Sequence, residues 1–199
     1  MSKPVWYACY GSNMSVARFR IYLEGGTRAA GSKVDPPCPA GAAIADSRPF
    51  MINRRLYFAR SSPNWDDGGA VAFVEVRPTE PAPTYGRLYL LSFEQLHHVV
   101  ARENSTVVER INLAYDDLSR AATVSTGWYD HLLPLGTING IPVVTLTAGS
   151  RPKDDAPLKR SNIYIATMSA GLAETYPWPL LSLDLAKAYL DEALIASGL

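Results

Sequence analysis

Tyr7-Ala8-Cys9-Tyr10-Gly11-Ser12-Asn13-Met14 is the stretch whose reading decides this fold. The apolar run Val5 to Tyr10 has the length of a buried strand, and it stops abruptly at Gly11-Ser12-Asn13. Beyond it Val16, Phe19 and Leu23 recur at helical spacing, with Ser15 placed to cap a helix over about 16–24 and Gly25-Gly26 to end it. A strand that runs through a small polar loop into a helix leaves the N–H groups of the loop and first turn without intrachain partners. Such groups converge on anions and polarised carbonyls. Gly11 adds access to the backbone and unusual dihedral angles, and Ser12 and Asn13 add side-chain donors. The same spacing suits a plain strand-to-helix turn capped by Ser and Asn.

Working outward, residues 29–47 are rich in Ala, Gly and Pro and read as irregular loop. Strand patterns follow at about 49–60, 69–77 and 84–91, separated by the turn residues 64–69 and by Pro78 to Pro83. Ser92 and Gln95 make a capping-box signature for a helix over about 93–103. A short helix is expected over 113–120, and a strand pair over 123–134 and 141–148 around Asn139-Gly140. Helices over about 162–174 and 182–197 flank the breaker Tyr176-Pro177-Trp178-Pro179. About six strands, one central helix and terminal helices predict an α+β fold with a curled or barrel-like sheet. No linker divides the chain, so a single domain is expected over 1–199, with a helical C-terminal extension over about 176–199.

Composition narrows the function. The hydrophobic share is 47%, the charged share 19%, and nineteen basic residues balance nineteen acidic ones. There is no basic excess to drive binding to nucleic acid or to an anionic membrane. The run after Met1-Ser2-Lys3-Pro4 is too short for a signal-peptide core, and no apolar stretch is long enough to span a bilayer. A cytoplasmic location is therefore expected. The two cysteines, Cys9 and Cys38, allow one disulfide, but Cys9 sits in an apolar strand pattern and reads as a core residue. His97 and His98 diverge by about 100° on a helix and do not grip one metal together. His98 is placed to pair with Glu94 on an exposed side. No phosphate-binding loop, dinucleotide fingerprint or nucleophile elbow is present, and neither metal nor cofactor is expected. In the last helix Leu183, Leu185, Ala186, Tyr189, Leu190 and Leu194 read as core-facing, with a dimer surface as the alternative, which leaves a monomer or a homodimer.

Glu103 is the second singular residue. Leu96, Val99, Val100 and Glu103 stand at i, i+3, i+4 and i+7, so the apolar stripe of the central helix ends in a carboxylate. Desolvation there raises a carboxyl pKa towards the range useful for proton transfer. A helix C-terminus also disfavours an anion. The alternative is a frayed end, with Glu103 in water or paired with an arginine such as Arg110.

With these residues in view, the chain resembles the γ-glutamylcyclotransferase-like superfamily. Tyr10-Gly11-Ser12-Asn13-Met14 matches that family's N-terminal loop in full. Trp65 followed by Gly68-Gly69-Ala70-Val71-Ala72 is similar to its next strand entry, and Gly86-Arg87-Leu88-Tyr89 to the strand after. The resemblance covers about residues 5 to 150. It implies a small mixed barrel flanked by helices, with Glu103 as the catalytic general acid/base and residues 7–14 (Tyr7, Ala8, Cys9, Tyr10, Gly11, Ser12, Asn13, Met14) as the substrate-binding loop. The implied reaction is intramolecular: the α-amine of a γ-glutamyl compound attacks its own γ-carbonyl, closing 5-oxoproline and expelling an amine, amino acid or peptide. The backbone at Gly11 and Ser12 would hold the oxyanion. Removal of a γ-glutamyl or other acyl group in a biosynthetic pathway, or small-molecule binding without catalysis, are the alternatives on the same fold. Two departures stand out. The family's late Pro-x-x-x-Tyr becomes Pro157-Leu158-Lys159-Arg160-Ser161, with Tyr164 one turn on, and Glu103 is followed by Asn104 where the family has glycine.

Overall fold

A computed structural model describes all of the chain except residues 1, 28–33, 66–67, 80–82, 154–156 and 178. The first strand, β1 (Pro4–Cys9), is buried from Val5 onward, as a strand covered on both faces must be. It leads through a single 3₁₀ turn, Ser12–Met14, into helix α1 (Val16–Glu24), whose N-cap is Ser15 and whose end is Gly25 at φ 79°. Strands β2 (Asp46–Ile52), β3 (Leu56–Ser61), β4 (Ala70–Val74) and β5 (Thr84–Ser92) come next, then helix α2 (Phe93–Glu103). The chain continues through β6 (Ala122–Thr123), β7 (His131–Ile138) and β8 (Ile141–Thr147), and finishes with helices α3 (Asn162–Thr175) and α4 (Leu183–Ile195).

Six strands form one mixed sheet in the order β2-β5-β1-β8-β7-β6, and β3 and β4 form a separate pair. β1 runs antiparallel to β5 and parallel to β8, with Trp6 beside Val143 and Tyr7 beside Val144. The α+β class holds, but the described residues form eight strands and the main sheet is not closed into a barrel. The second pair is tied to it by a side chain: Thr147 Oγ1, at the end of β8, donates to Val74 O at 2.6 Å and accepts from Val74 N at 3.2 Å.

Several element boundaries differ from expectation. The segment at 49–60 is two strands in different sheets, broken by a tight turn in which Arg54 N–H donates to Ile52 O at 2.7 Å. Pro49 sits in β2, the edge strand, where a missing N–H costs no ladder bond. The expected strand at 123–134 also divides, because residues 124–130 loop out between β6 and β7. The expected short helix is a 3₁₀ segment, Tyr115–Ser119. Asn139 and Gly140 both have positive φ, 51° and 76°, as a two-residue hairpin turn demands. Part of the 29–47 loop lies outside the described residues. Beyond it, Gln95 Nε2 donates to Gly41 O and Ala43 O at 2.9 and 3.0 Å while Gln95 Oε1 completes the capping box with Ser92.

Both cysteines are buried and free. His98 is buried rather than exposed: its Nε2 accepts from Arg102 Nε at 3.3 Å, and Arg102 in turn reaches Asp35 Oδ1 at 3.3 Å. In α4, Ala186, Leu190 and Leu194 are buried but Leu183 and Leu185 are exposed. Among the described residues no helix is long and apolar enough to cross a membrane.

Candidate functional site

α2 carries its stripe as the spacing requires. Leu96, Val99 and Val100 are fully buried, and Glu103, next on that face and last in the helix, is half-buried. Its carboxylate does not fray into water. Asn13 Nδ2 donates to Oε1 at 2.6 Å, the Tyr7 hydroxyl donates to Oε1 at 3.3 Å, and the Tyr22 hydroxyl donates to Oε2 at 3.2 Å. Three neutral donors from β1, the 3₁₀ turn and α1 thus solvate a carboxylate delivered by α2. The contact to Asn13 fixes that amide's orientation, because the reverse would set two acceptors 2.6 Å apart. It leaves Asn13 Oδ1 buried and without a hydrogen-bond partner among the described residues. The phenol of Tyr7 is held well above its ordinary pKa by burial and then by the charge on Glu103, so it remains a donor.

The loop itself is braced from β5. The Tyr89 hydroxyl donates to Asn13 O at 2.9 Å, and Arg87 Nη1 donates to Met14 O at 2.9 Å and to Glu174 Oε1 at 2.8 Å. The segment Gly86-Arg87-Leu88-Tyr89 is therefore the buttress of the Gly-Ser-Asn turn.

Two glycines admit a third wall. A Cβ on Gly69 would lie 2.2 Å from Ser161 Cβ and 2.5 Å from Ser161 N, so the first turn of α3 seats directly on the backbone there. Ala70 N–H donates to Lys159 O at 2.8 Å, and Ser161 Oγ caps α3 by accepting from Tyr164 N at 3.0 Å. This docking carries Tyr164 over Gly11, where an added Cβ would stand 2.7 Å from the phenol oxygen. Gly11 is required for this approach and not for its dihedral angles, since its φ is −105°. The Tyr164 hydroxyl accepts from Ala72 N–H at 3.0 Å, and the Ser12 amide acts with it to lower the phenol pKa against the effect of burial. Burial raises the Tyr164 pKa, so the group stays protonated and its own O–H remains available to donate.

These walls enclose two adjoining spaces. An inner chamber of about 40 Å³ lies against Tyr7, Cys9, Gly11, Asn13, Glu103 and Tyr164. It shares Ser12, Glu103, Tyr129 and Tyr164 as lining with a cleft of about 410 Å³ whose other wall includes Arg18, Trp65 and Trp128. The Arg18 guanidinium stacks 5.0 Å from the Trp65 ring centre. The inner space holds a few water-sized groups, whereas the cleft is of ligand size.

Of the eight loop residues expected at the site, Tyr7, Cys9, Tyr10, Gly11, Ser12 and Asn13 line the inner chamber and Ala8 and Met14 do not. Alternation along β1 turns Ala8 to the opposite face from Tyr7 and Cys9. Met14 is fully buried, and the close seating of α3 at Gly171 packs against it. Burial raises the pKa of the Cys9 thiol, and Sγ donates to Arg87 O at 3.4 Å, which leaves no thiolate for nucleophilic work. Tyr22, Ala72, Tyr129 and Leu146 also reach the site and were not singled out from the sequence. Tyr22 had a signal, a hydroxyl on the buried stripe of α1 beside Phe19 and Leu23. Tyr129 had none, since a loop from across the sheet brings it.

No family model matches the sequence. Histone deacetylase 5 of Arabidopsis thaliana is 29% identical over 212 residues, covering 96% of this chain and 31% of that protein, so the chain spans about a third of the relative's length. A solved γ-glutamyl cyclotransferase superposes with a TM-score of 0.51 at 16% identity, over 94% of this chain and 88% of that one. An uncharacterized protein from Homo sapiens superposes with a TM-score of 0.53 at 15% identity over the same shares. The chain has the γ-glutamyl cyclotransferase fold. In this cyclotransferase fold, β1, α1, α2 and α3 meet at the one point where the Gly-Ser-Asn turn, Glu103 and Tyr164 face each other across the chamber.

Proposed function

We propose that the protein cyclises a γ-glutamyl amine, amino acid or peptide to 5-oxoproline and releases the amine. The observation that carries this reading is the Asn13–Glu103 contact, 2.6 Å long, which fixes one carboxylate at the neck between a small chamber and a ligand-sized cleft. The γ-carbonyl and the folded-back α-amine occupy the inner chamber, and the leaving group extends into the cleft. Confinement of this kind brings the amine nitrogen against the carbonyl carbon, which is most of what an intramolecular cyclisation needs.

Glu103 accepts the proton that the amine must shed as the new C–N bond forms. It then returns that proton to the departing nitrogen as the original C–N bond breaks. One carboxyl group serves both steps because the two nitrogens sit on the same carbon in the tetrahedral intermediate. The Tyr164 O–H, polarised by the Ala72 amide behind it, supplies a donor to the substrate's carbonyl or carboxylate oxygen. Tyr164 thereby takes the place of the tyrosine missing at Ser161. Tyr7 and Tyr22 hold the carboxylate of Glu103 at the mouth. Incubation with a broad γ-glutamyl panel, with 5-oxoproline as the readout, tests the proposal. Release abolished in Glu103→Gln is the expected result, and a panel without 5-oxoproline overturns it.

A further inference from the structure

The residue after Glu103 clamps the loop that walls the leaving-group side of the cleft. Asn104, the C-cap of α2, uses every hydrogen-bonding atom of its amide except one lone pair. Nδ2 donates to Val100 O at 2.9 Å and to Tyr129 O at 3.0 Å, while Oδ1 accepts from Tyr129 N–H at 3.0 Å. The side chain pairs with Tyr129 as a neighbouring strand would. Gly127 closes over it so tightly that an added Cβ would stand 2.3 Å from Asn104 Oδ1. The loop is otherwise closed at its base, where Val124 N–H donates to Asp130 O at 2.7 Å, and at Tyr129, whose hydroxyl donates to Ala72 O at 2.9 Å; at the tip, Gly127-Trp128, Gly127 N–H donates to Ser125 Oγ at 3.1 Å and the Arg60 guanidinium stands 5.7 Å from the Trp128 ring centre. Asn104 adds the tie from the end of α2 to Tyr129 and the seat under Gly127, which set the height of the tip against the cleft.

That tip lies on the outer side of Glu103, where a group leaving from the inner chamber must go. We infer that Asn104 is a positioning residue that sets leaving-group selectivity by pinning the 125–129 loop as the cleft wall, an inference that rests on the cyclisation proposed above. Glycine at this position would leave the loop tip to find its place on substrate binding, and affinity for larger leaving groups would bear that ordering cost.

Two probes separate the wall from the chemistry: γ-glutamyl methylamide, whose leaving group is too small to reach the wall, and γ-glutamyl phenylalanine, which fills the cleft. In Asn104→Gly the ratio of kcat/KM for the two is expected to shift about tenfold against the phenylalanine compound, with the change in KM. Glycine is well tolerated at a helix C-terminus, so the variant folds. Gly127→Ala, which forces the tip off Asn104, is expected to shift the ratio in the same direction, and the double variant to shift it no further than either alone. Equal losses on both probes, or an unmoved ratio, overturn the assignment while leaving the cyclisation standing. Should the wild type release no 5-oxoproline, the cyclisation falls. The assignment is then read from calorimetric binding of the same probes to Glu103→Gln with and without Asn104→Gly. A preference that moves with Asn104 supports it, and no preference or no binding overturns it.

Discussion

Asn13 and Glu103 stand 90 residues apart in sequence and 2.6 Å apart in space. The amide in the turn after the first strand donates from Nδ2 to the one carboxylate on an otherwise apolar helical stripe, and it does so with its own acceptor left buried. A purely structural design would satisfy both ends of a buried amide. In the function proposed above, the pair forms two halves of one site.

Replacing Glu103 with glutamine keeps the shape and an acceptor for Asn13 but removes the proton carrier. Release of 5-oxoproline is expected to fall by about 10²–10⁴-fold, the range for losing a general acid/base. Thermal unfolding followed by circular dichroism should show the variant folded. Full activity in Glu103→Gln would remove the residue from the mechanism.

Tyr7→Phe and Tyr22→Phe each delete one donor to the carboxylate and leave the rings in place. Each is expected to lower kcat by about tenfold, from a charged-group hydrogen bond of roughly 1.5 kcal/mol. In the Glu103→Gln background neither should matter further, because they act through that group. Additive losses in the double variants would show a separate role.

Gly11→Ala places a methyl group 2.7 Å from the Tyr164 oxygen. Overpacking of this kind costs about 1–3 kcal/mol. Tyr164→Phe removes the clashing atom, so the double variant should recover part of the lost stability although Tyr164→Phe alone strands the Ala72 N–H. Chemical denaturation of the four proteins measures the coupling, and simple additivity would contradict the packing.

Burial raises the pKa of several tyrosines, among them Tyr7, Tyr10 and Tyr129, and pushes Tyr57 up to about 12. Above about pH 10 the unfolded chain loses these phenolic protons while the folded one keeps them. The unfolded state then binds fewer protons, and stability falls as pH rises from there. Most of the phenolate absorbance should therefore appear together with loss of the circular dichroism signal; its full development well before unfolding would contradict the burial. On the acid side His98 has its pKa lowered by burial and then by Arg102. Below about pH 6.5 the unfolded chain takes up a proton the folded one resists, so stability is lost as pH falls. His98→Gln should flatten that limb.

By itself the sequence determined the elements whose signals are local. The buried first strand, the capping box of α2, the Asn139-Gly140 hairpin and the stripe ending in Glu103 are each written within one or two turns of chain, where periodicity and caps act. Only the tertiary structure decided what those elements face. Sequence periodicity does not say that 49–60 divides between two sheets, that Gly11 is small to make room for a phenol from α3, or that His98 turns inward to Arg102. Those outcomes depend on which surfaces come within van der Waals reach after collapse, and residues 72, 129 and 164 arrive from a strand, a loop and a helix with no local tie to the Gly-Ser-Asn turn. The glutamate was legible because burying a charge violates a local pattern. The donors that surround it obey their own patterns, and only their convergence makes a site.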